Sequence, residues 1–553
     1  MKNLTWQNPE QLFVAQELIN KVKSKCCGIK VMIENIRIRN LRSIHDSGII
    51  EFKPIMILLG ANSSGKSTFL RSFPLFTQSV DKKLRGPISW FDSAYVDYGD
   101  YKTAKNRFAD ENEGIGFEYT YRDLVSIDAR RFYVRQGNYV YRTELKEGSF
   151  SFELKGDSKG TFISKISIQT VNVSFVLSVD DRNDNINFVI NGKAFKSPEK
   201  LFFNFNTAFG ILPSIASNKS SNSDNDVSGY SLIYNRLISI LKEQCDKRLR
   251  NTERLAVLLS TGNLEKSHFL QILKYGNGIT SLQKNVKDWT NKTPLFNEIY
   301  NYFLLLKINP IIAALNNEIA TFYHRCDYIA PMRAEAGRFY RIQGLQVDTV
   351  DPSGHNLLEF IASLTEKEKK SFDDFVSGIL KVTVDVPSES GMKSLRIKTV
   401  NGEFSLADVG YGYSQVLPVI SKLWHTTYVM ENNSSLIGRL RFREFDKNIL
   451  LMEQPELHLH PAMQAKVADT LITTVDRTRE ADECVTLIVE THSQAIINRI
   501  GRRIREGVIQ PDDVNVILFS KDSNLQNTII KQISYTEQGQ LKDWPYGFFD
   551  PQD

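Results

Sequence analysis

The sequence predicts an α/β protein organised around a phosphate-binding loop, and three observations carry that prediction. An apolar run at 55–59 leads through Gly60 into GANSSGKST and the helix-like KSTFL. Two later apolar runs, KNILLMEQ and CVTLIVE, each reach an acidic residue and are followed by helix-like segments. Short apolar runs bounded by turns suit strands buried on both faces, as in a parallel sheet. At 553 residues the chain exceeds what one core usually serves, so two or three lobes are expected.

The elements follow in order. Residues 1–30 read as an amphipathic helix, with Leu12, Phe13, Leu18, Ile19 and Val22 near helical spacing. VMIENIRIRN alternates apolar and basic residues as a half-buried strand does. From about 114 to 195, short alternating runs separated by Gly, Asn and Asp turns predict an antiparallel sheet. SNKSSNSDNDVSG (217–229) is polar and of low complexity, which predicts an exposed link. Residues 230–325 read as largely helical without sustained heptads, and strand and helix alternate from 328 onward.

Composition narrows the class. Hydrophobic residues make up 41% and charged residues 24% of the chain, an ordinary globular balance. No run of 18 apolar residues occurs and the N-terminus lacks signal-peptide order, so no membrane span and a cytoplasmic location are expected. Five scattered cysteines without a CxxC pair predict reduced thiols rather than a disulfide framework or a zinc site. A net charge of +5 is only mildly basic. It permits nucleic-acid contact without arguing for it. Arg37/Arg39/Arg42, Arg130/Arg131/Arg135 and Arg502/Arg503/Arg505 are the local basic clusters, each read first as a solvated face.

GANSSGKS satisfies GxxxxGK[ST] after a strand and before a helix, the context the motif needs. Gly60 and Gly65 let the backbone across Asn62, Ser63 and Ser64 wrap phosphates, and the helix start at Lys66, Ser67 and Thr68 adds positive potential. Lys66 reaches the outer phosphates and Ser67 offers a hydroxyl to Mg2+, so a nucleotide phosphate with Mg2+ is the expected ligand. LLMEQPELHLHP (450–461) supplies the matching acid, Glu453, at a strand end. Gln454 follows where a second carboxylate is common, and an amide cannot take a proton from water as a carboxylate can. Slow hydrolysis is expected, with Glu456 a possible substitute base. His458 and His460 would share a side if extended, but no third ligand is nearby, which favours packing at a strand-to-helix turn over a metal site. LADVGYGYSQVLPVI places Gly410 and Gly412 before Ser414 and Gln415 at a helix start, and TLIVETHSQAIINRI brings a strand to Glu490 and His492.

These four blocks, in this order, resemble the ATP-binding-cassette (ABC-type) ATPases of the SMC and OLD kind, over roughly 31–110 and 328–553. AYVDYGDY, YIAPMRAEAGRFY and DWPYGFFD add likeness to the PtuA ATPases of Septu and some retron antiphage systems, which act with an HNH nuclease. The resemblance implies an ATPase head split in sequence: an N-terminal extension (1–30), an N-terminal half with a β-rich region (31–216), a helical insertion (217–327) and a C-terminal half (328–553). It further implies that Lys66 and Ser67 bind phosphate and magnesium, that Gln78 contacts the magnesium, and that Glu453 holds it. Ser414 would reach the ATP of a second subunit, and His492 would be the switch histidine. The implied partners are a second copy in a homodimer or higher even oligomer, an HNH nuclease, and in some systems a reverse transcriptase with its RNA and DNA. About sixty residues follow His492, too few for a nuclease domain, so none is expected on this chain. The competing readings are a DNA-repair or chromosome-handling ATPase that binds DNA directly and a scaffold that binds ATP without turning it over.

Overall fold

The structure, a computed structural model, describes residues 33–544 except 81, 83, 85, 94, 129–140, 198–199, 206–209, 217–227, 247–252, 260, 277, 335–336, 342–345, 390, 410, 433–447, 482, 523–526 and 543. The N-terminal helix expected over 1–30, the 130–135 basic cluster, most of the 217–229 link, Gly410 and most of DWPYGFFD therefore lie outside the described residues.

The first half builds an antiparallel sheet. β1 (Ile33–Leu41), β2 (Ile44–Asp46) and β3 (Ile50–Glu51) precede β4 (Ile55–Gly60), and β5 (Ile115–Asp128), β6 (Tyr141–Asp157), β7 (Gly160–Thr170), β8 (Ser174–Ser178), β9 (Asn187–Ile190) and β10 (Lys193–Phe195) follow. They pair in the order β10-β9-β8-β7-β6-β5-β1-β2, with β3 on β1 and β4 left to the other sheet. Asn, Gly and Asp turns joining alternating strands produce this meander.

β4 enters a second sheet with β11 (Cys326–Ile329), β12 (Ile449–Glu453), β13 (Thr486–Glu490), β14 (Val514–Lys521) and β15 (Thr528–Ile533). The order is β11-β12-β13-β4-β14-β15, parallel except for the final pair. All six residues of β4 are buried. Because side chains alternate, Met56 and Leu58 enter one core while Ile55, Ile57 and Leu59 enter another. Helix α1 (Lys66–Val80) and the long α2 (Pro294–His324) fill the first core, between the two sheets. α3 (Glu366–Leu380), α4 (Tyr411–Asn432), α5 (Pro461–Glu480) and α6 (Gln494–Arg505) cover the second.

α2 closes the segment expected as a helical insertion. It is long and apolar enough to cross a membrane, yet 67% of its apolar window is buried within the protein. Phe303, Leu304, Leu305 and Leu306 are consecutive and all buried, so every side of the helix is covered in that stretch, while Ala313 and Asn317 further along are exposed. Tyr323 stacks on Phe76 of α1 at 4.7 Å and bonds the Tyr119 hydroxyl of β5 at 2.7 Å. Truncating such a ring costs about 3–5 kcal/mol. The end of the expected insertion is thus a core element joining the two sheets.

Candidate nucleotide-binding site

The loop between β4 and α1 is shaped by its glycines. Gly60 and Gly65 have φ of 155° and 105°. A Cβ on Gly60 would lie 2.3 Å from the Phe519 carbonyl oxygen, and one on Gly65 would lie 2.9 Å from the Ser43 and Thr528 hydroxyls. Only glycine lets the loop press this closely on β14 and β15. Thr528 Oγ1 donates to the Ser64 carbonyl at 2.8 Å, and the Tyr98 hydroxyl donates to the Thr68 carbonyl at 2.9 Å. Asn62 and Ser63 are exposed while Ser64, Gly65 and Lys66 are buried. Lys66 Nζ donates to the carbonyls of Gly60 (3.0 Å) and Ala61 (2.8 Å), and burial holds its pKa below the ordinary lysine value. A phosphate would offer charged acceptors in place of these neutral carbonyls, which makes roughly twice as strong a bond.

The sheet register brings two acids to the loop. Glu453 of β12 lies opposite Glu490 of β13, and Glu490 lies opposite Leu58 of β4. Ser67 Oγ donates to Glu490 Oε1 at 2.9 Å. Glu453 is engaged elsewhere: Arg71 Nε and Nη2 grip its two oxygens at 2.7 Å each, and the Tyr328 hydroxyl adds a bond of 2.7 Å. One hydroxyl and two carboxylates beside a buried ammonium fit Mg2+, which takes one or two carboxylates and completes its shell with phosphate oxygens and water. The observation favouring a ligand is Glu490 Oε2, buried and without a hydrogen-bond partner.

Burial first, and then the Glu453 charge, push the Glu490 carboxyl up to about 7 from an ordinary 4.5. The folded chain thus holds this proton to a higher pH than the unfolded chain. Through this group, stability of the nucleotide-free protein falls as pH rises from the unfolded value toward about 7, then levels. Glu490→Gln is expected to remove that slope in thermal unfolding between about pH 5 and 8. A wild-type-minus-variant difference that does not change with pH would contradict it.

Gln454 begins the turn after β12 in the left-handed region, at φ 44°. Its N–H donates to the Glu490 carbonyl at 2.8 Å, and the buried Arg333 Nη2 donates to the carbonyls of Glu453 (2.8 Å) and Gln454 (3.3 Å). Burial pushes Arg333 down to about 10 against the opposing charges of Glu456 and Glu453. Glu456 Oε1 accepts the His492 N–H at 2.8 Å, which commits one oxygen of the possible substitute base. His492 is exposed; partial desolvation and then the Lys66 charge lower its pKa. Gln454, Glu456, His458, Gln464, His492 and Ser493 line one open cleft of about 680 Å3. Ser414 is buried in the first turn of α4, and the adjacent Gln415 Nε2 donates to the Arg333 carbonyl at 3.4 Å. The segment at 406–420 is thereby attached to the acidic strand through Arg333.

One expectation changes, and the metal alternative already disfavoured for His458 and His460 gains no support. Gln78 is not at the metal site: α1 runs through Pro74, which puts Gln78 eleven residues and about 16 Å along the axis from Ser67. Its amide instead bonds the Ser89 carbonyl (2.7 Å) and the Val96 N–H (3.2 Å). The metal alternative for His458 and His460 also falls, because the segment is not extended. His458 has φ 61°, while His460 Nδ1 accepts the Ala462 N–H at 3.3 Å and caps α5. Among the described residues no cluster of three His, Cys, Asp or Glu could hold a metal. Arg71, Tyr328 and Arg333 are site residues to which the sequence assigned no role, and Glu490, placed there only as a strand end, joins them.

The described basic clusters are partly committed to acids. Arg37 bonds Asp46 at 2.8 Å, Arg39 bonds Glu118 at 2.6 Å, and Arg503 bonds Asp469 at 2.7 Å and Glu506 at 2.9 Å.

A glycine-shaped loop on a central parallel strand, a buried lysine and two acids on the neighbouring strands define a P-loop ATPase head. The chain belongs to the AAA ATPase domain family, which it matches over residues 32–497. The match agrees with the expected ATPase at the level of an AAA ATPase domain. No curated protein matches the chain. Among solved structures, the Smc head domain of Pyrococcus furiosus bound to the C-terminal domain of ScpA is 12% identical, with 91% of this chain and 96% of that chain covered and a TM-score of 0.33. The SMC head domain of Thermotoga maritima is 8% identical over 90% and 98%, at 0.30. The Smc head domain with a coiled coil and joint from Pyrococcus yayanosii is 12% identical over 92% and 98%, at 0.32. Similarity this distant carries no argument about function.

Proposed function

We propose that this ATPase binds Mg-ATP between two copies of itself, hydrolyses it slowly and uses the nucleotide state to regulate a separate HNH nuclease in an antiphage complex of the Septu or retron kind. The four sequence blocks and the PtuA-like segments support the defence setting. The observation that carries slow turnover is Gln454, an amide at the end of the acidic strand and on the wall of the cleft that His492 shares. It can orient water but cannot take its proton.

Each residue has a stated part in this reading. Lys66 neutralises phosphate charge and the loop N–H groups cradle it. Ser67 and the strand-end carboxylates would hold Mg2+, which when bound neutralises charge on the phosphate oxygens. His492 meets the outer phosphate from the exposed side, and Ser414 meets the ATP of the partner copy. Engagement of Arg37, Arg39 and Arg503 with acids favours this reading over direct DNA handling, because each paired cation must first be released to neutralise a phosphate.

Gln454→Glu tests the rate assignment. Turnover is expected to rise about 100-fold, within the usual gain from a positioned general base, while Mg-ATP affinity stays within about 3-fold because ground-state binding does not use the base. Turnover that stays level or falls would sink the idea that Gln454 limits the rate.

A further inference from the structure

We infer that Arg333 is a positioning residue: it fixes the backbone of the turn that carries Gln454 and ties that turn to the first turns of α4. The inference rests on the two-copy Mg-ATP reading and deepens it, because α4 carries Ser414, the group which that reading sets against the partner's ATP.

Three observations carry it. First, the turn needs a clamp. Gln454 sits at φ 44°, a conformation that residues other than glycine adopt at a cost and keep only where their surroundings enforce it. The Glu490 carbonyl holds the Gln454 N–H at 2.8 Å, and Arg333 Nη2 donates to the carbonyls of Glu453 (2.8 Å) and Gln454 (3.3 Å). Those carbonyls belong to the two peptide planes that flank the Gln454 Cα. Each plane is rigid, so holding both fixes the direction in which the Gln454 side chain leaves the backbone.

Second, stability alone does not account for an arginine at this position. Arg333 is 6% exposed, and its Nε and Nη1 are buried without hydrogen-bond partners. Taking a guanidinium out of water while two of its nitrogens stay unpaired is costly. The return is the grip of Nη2 on the turn. The opposing charges of Glu456 and Glu453 keep the cation there.

Third, the Arg333 segment is fastened to α4 at two points. Gln415 Nε2 donates to the Arg333 carbonyl at 3.4 Å. On either side of Arg333, the Ala330 and Ala334 N–H groups donate to the Pro352 and Ser353 carbonyls at 2.8 Å each. The next residue, Gly354, lies against α4 so closely that a Cβ on it would sit 2.8 Å from Pro418 Cγ. A shift of α4 as Ser414 meets the partner's nucleotide therefore moves the Arg333 segment and, through Nη2, the Gln454 amide. YIAPMRAEAGRFY, a segment otherwise without a role in the site, gains one at Arg333.

The test uses the full chain and measures ATP affinity, Mg-ATP-dependent pairing by native mass, and turnover. The proteins are the wild type, Arg333→Met, Arg333→Lys, Gln454→Glu and the double variant Arg333→Met/Gln454→Glu. Arg333→Met is expected to lose about 10- to 100-fold in turnover, the scale of a misplacement of about 1 Å. Its ATP affinity should stay within about 3-fold and its pairing should persist, because neither Lys66 nor Ser414 is altered. Arg333→Lys keeps the buried charge facing Glu456 without the planar fork. Its turnover should fall between wild type and Arg333→Met, and it carries the same comparison should Arg333→Met not fold. The gain of about 100-fold expected of Gln454→Glu should shrink below about 10-fold in the double variant, since a base on an unclamped turn is out of position.

Turnover within about 2-fold of wild type in both Arg333 variants would overturn the assignment. So would affinity or pairing that falls in step with turnover in both, which is the mark of a purely structural role, and so would an undiminished gain in the double variant. A wild type that binds ATP without pairing overturns the two-copy reading instead, and Gln454→Glu without any gain overturns the rate assignment. Both of those results are read without an Arg333 variant.

Discussion

Lys66→Ala is expected to weaken ATP binding by about 100-fold and to remove measurable turnover, because the side chain supplies a buried positive charge where the phosphates would lie. Hydrogen bonds to a charged group are worth about 1.5–3 kcal/mol each, and about 2.7 kcal/mol corresponds to 100-fold. Calorimetric titration with Mg-ATP measures the loss. The fold should not suffer: the ammonium bonds only two loop carbonyls, and its burial is a cost removed by the substitution. Unaltered ATP affinity in a folded variant would mean that the loop is not a phosphate site.

Arg71→Met is expected to destabilise the protein by about 2–3 kcal/mol. Glu453 is 2% exposed, and removing its cation leaves a buried carboxylate with only the Tyr328 hydroxyl. Breaking a fully buried pair costs about 3–5 kcal/mol. The smaller figure reflects Arg71 itself, which is 35% exposed and so partly screened by solvent. The double variant Arg71→Met/Glu453→Gln should recover most of the loss, since no uncompensated charge remains. Chemical denaturation of the two single variants and the double variant measures the coupling. Losses that simply add would show that the pair is not an energetic unit.

How much of this was legible in the sequence depends on how local each feature is. The phosphate loop was readable because its whole requirement, glycines, lysine and serine between a strand and a helix, lies within one short stretch. Strands 55–60, 449–453 and 486–490 were readable from unbroken apolar runs. Their lateral order was not, since pairing of β13 with β4 is a tertiary fact that no single segment encodes. That order decides which acid stands beside Ser67. CVTLIVE ends on an acid, and that was the available signal for Glu490, but without the sheet Glu453 looked equivalent to it.

Gln78 was misplaced because its role was carried over from the resemblance, without knowledge of how far the helix after the loop extends. A proline eight residues into a helix usually interrupts it, yet α1 continues to Val80 and carries Gln78 down the axis. Burial against both sheets outweighs the lost backbone bond. The long 294–324 segment read as part of an insertion because nothing in its own sequence says what it packs against. Its partners, Phe76 of α1 and Tyr119 of β5, lie about 200 residues or more away in the chain.

The central claim is that Mg-ATP joins two copies of this chain. Native mass spectrometry of the purified protein, with and without Mg-ATP and with Lys66→Ala alongside, tests it most directly. The account predicts an even-numbered assembly carrying one nucleotide per chain, formed with Mg-ATP and absent in the variant. A single chain that carries ATP at saturation and never pairs would contradict it.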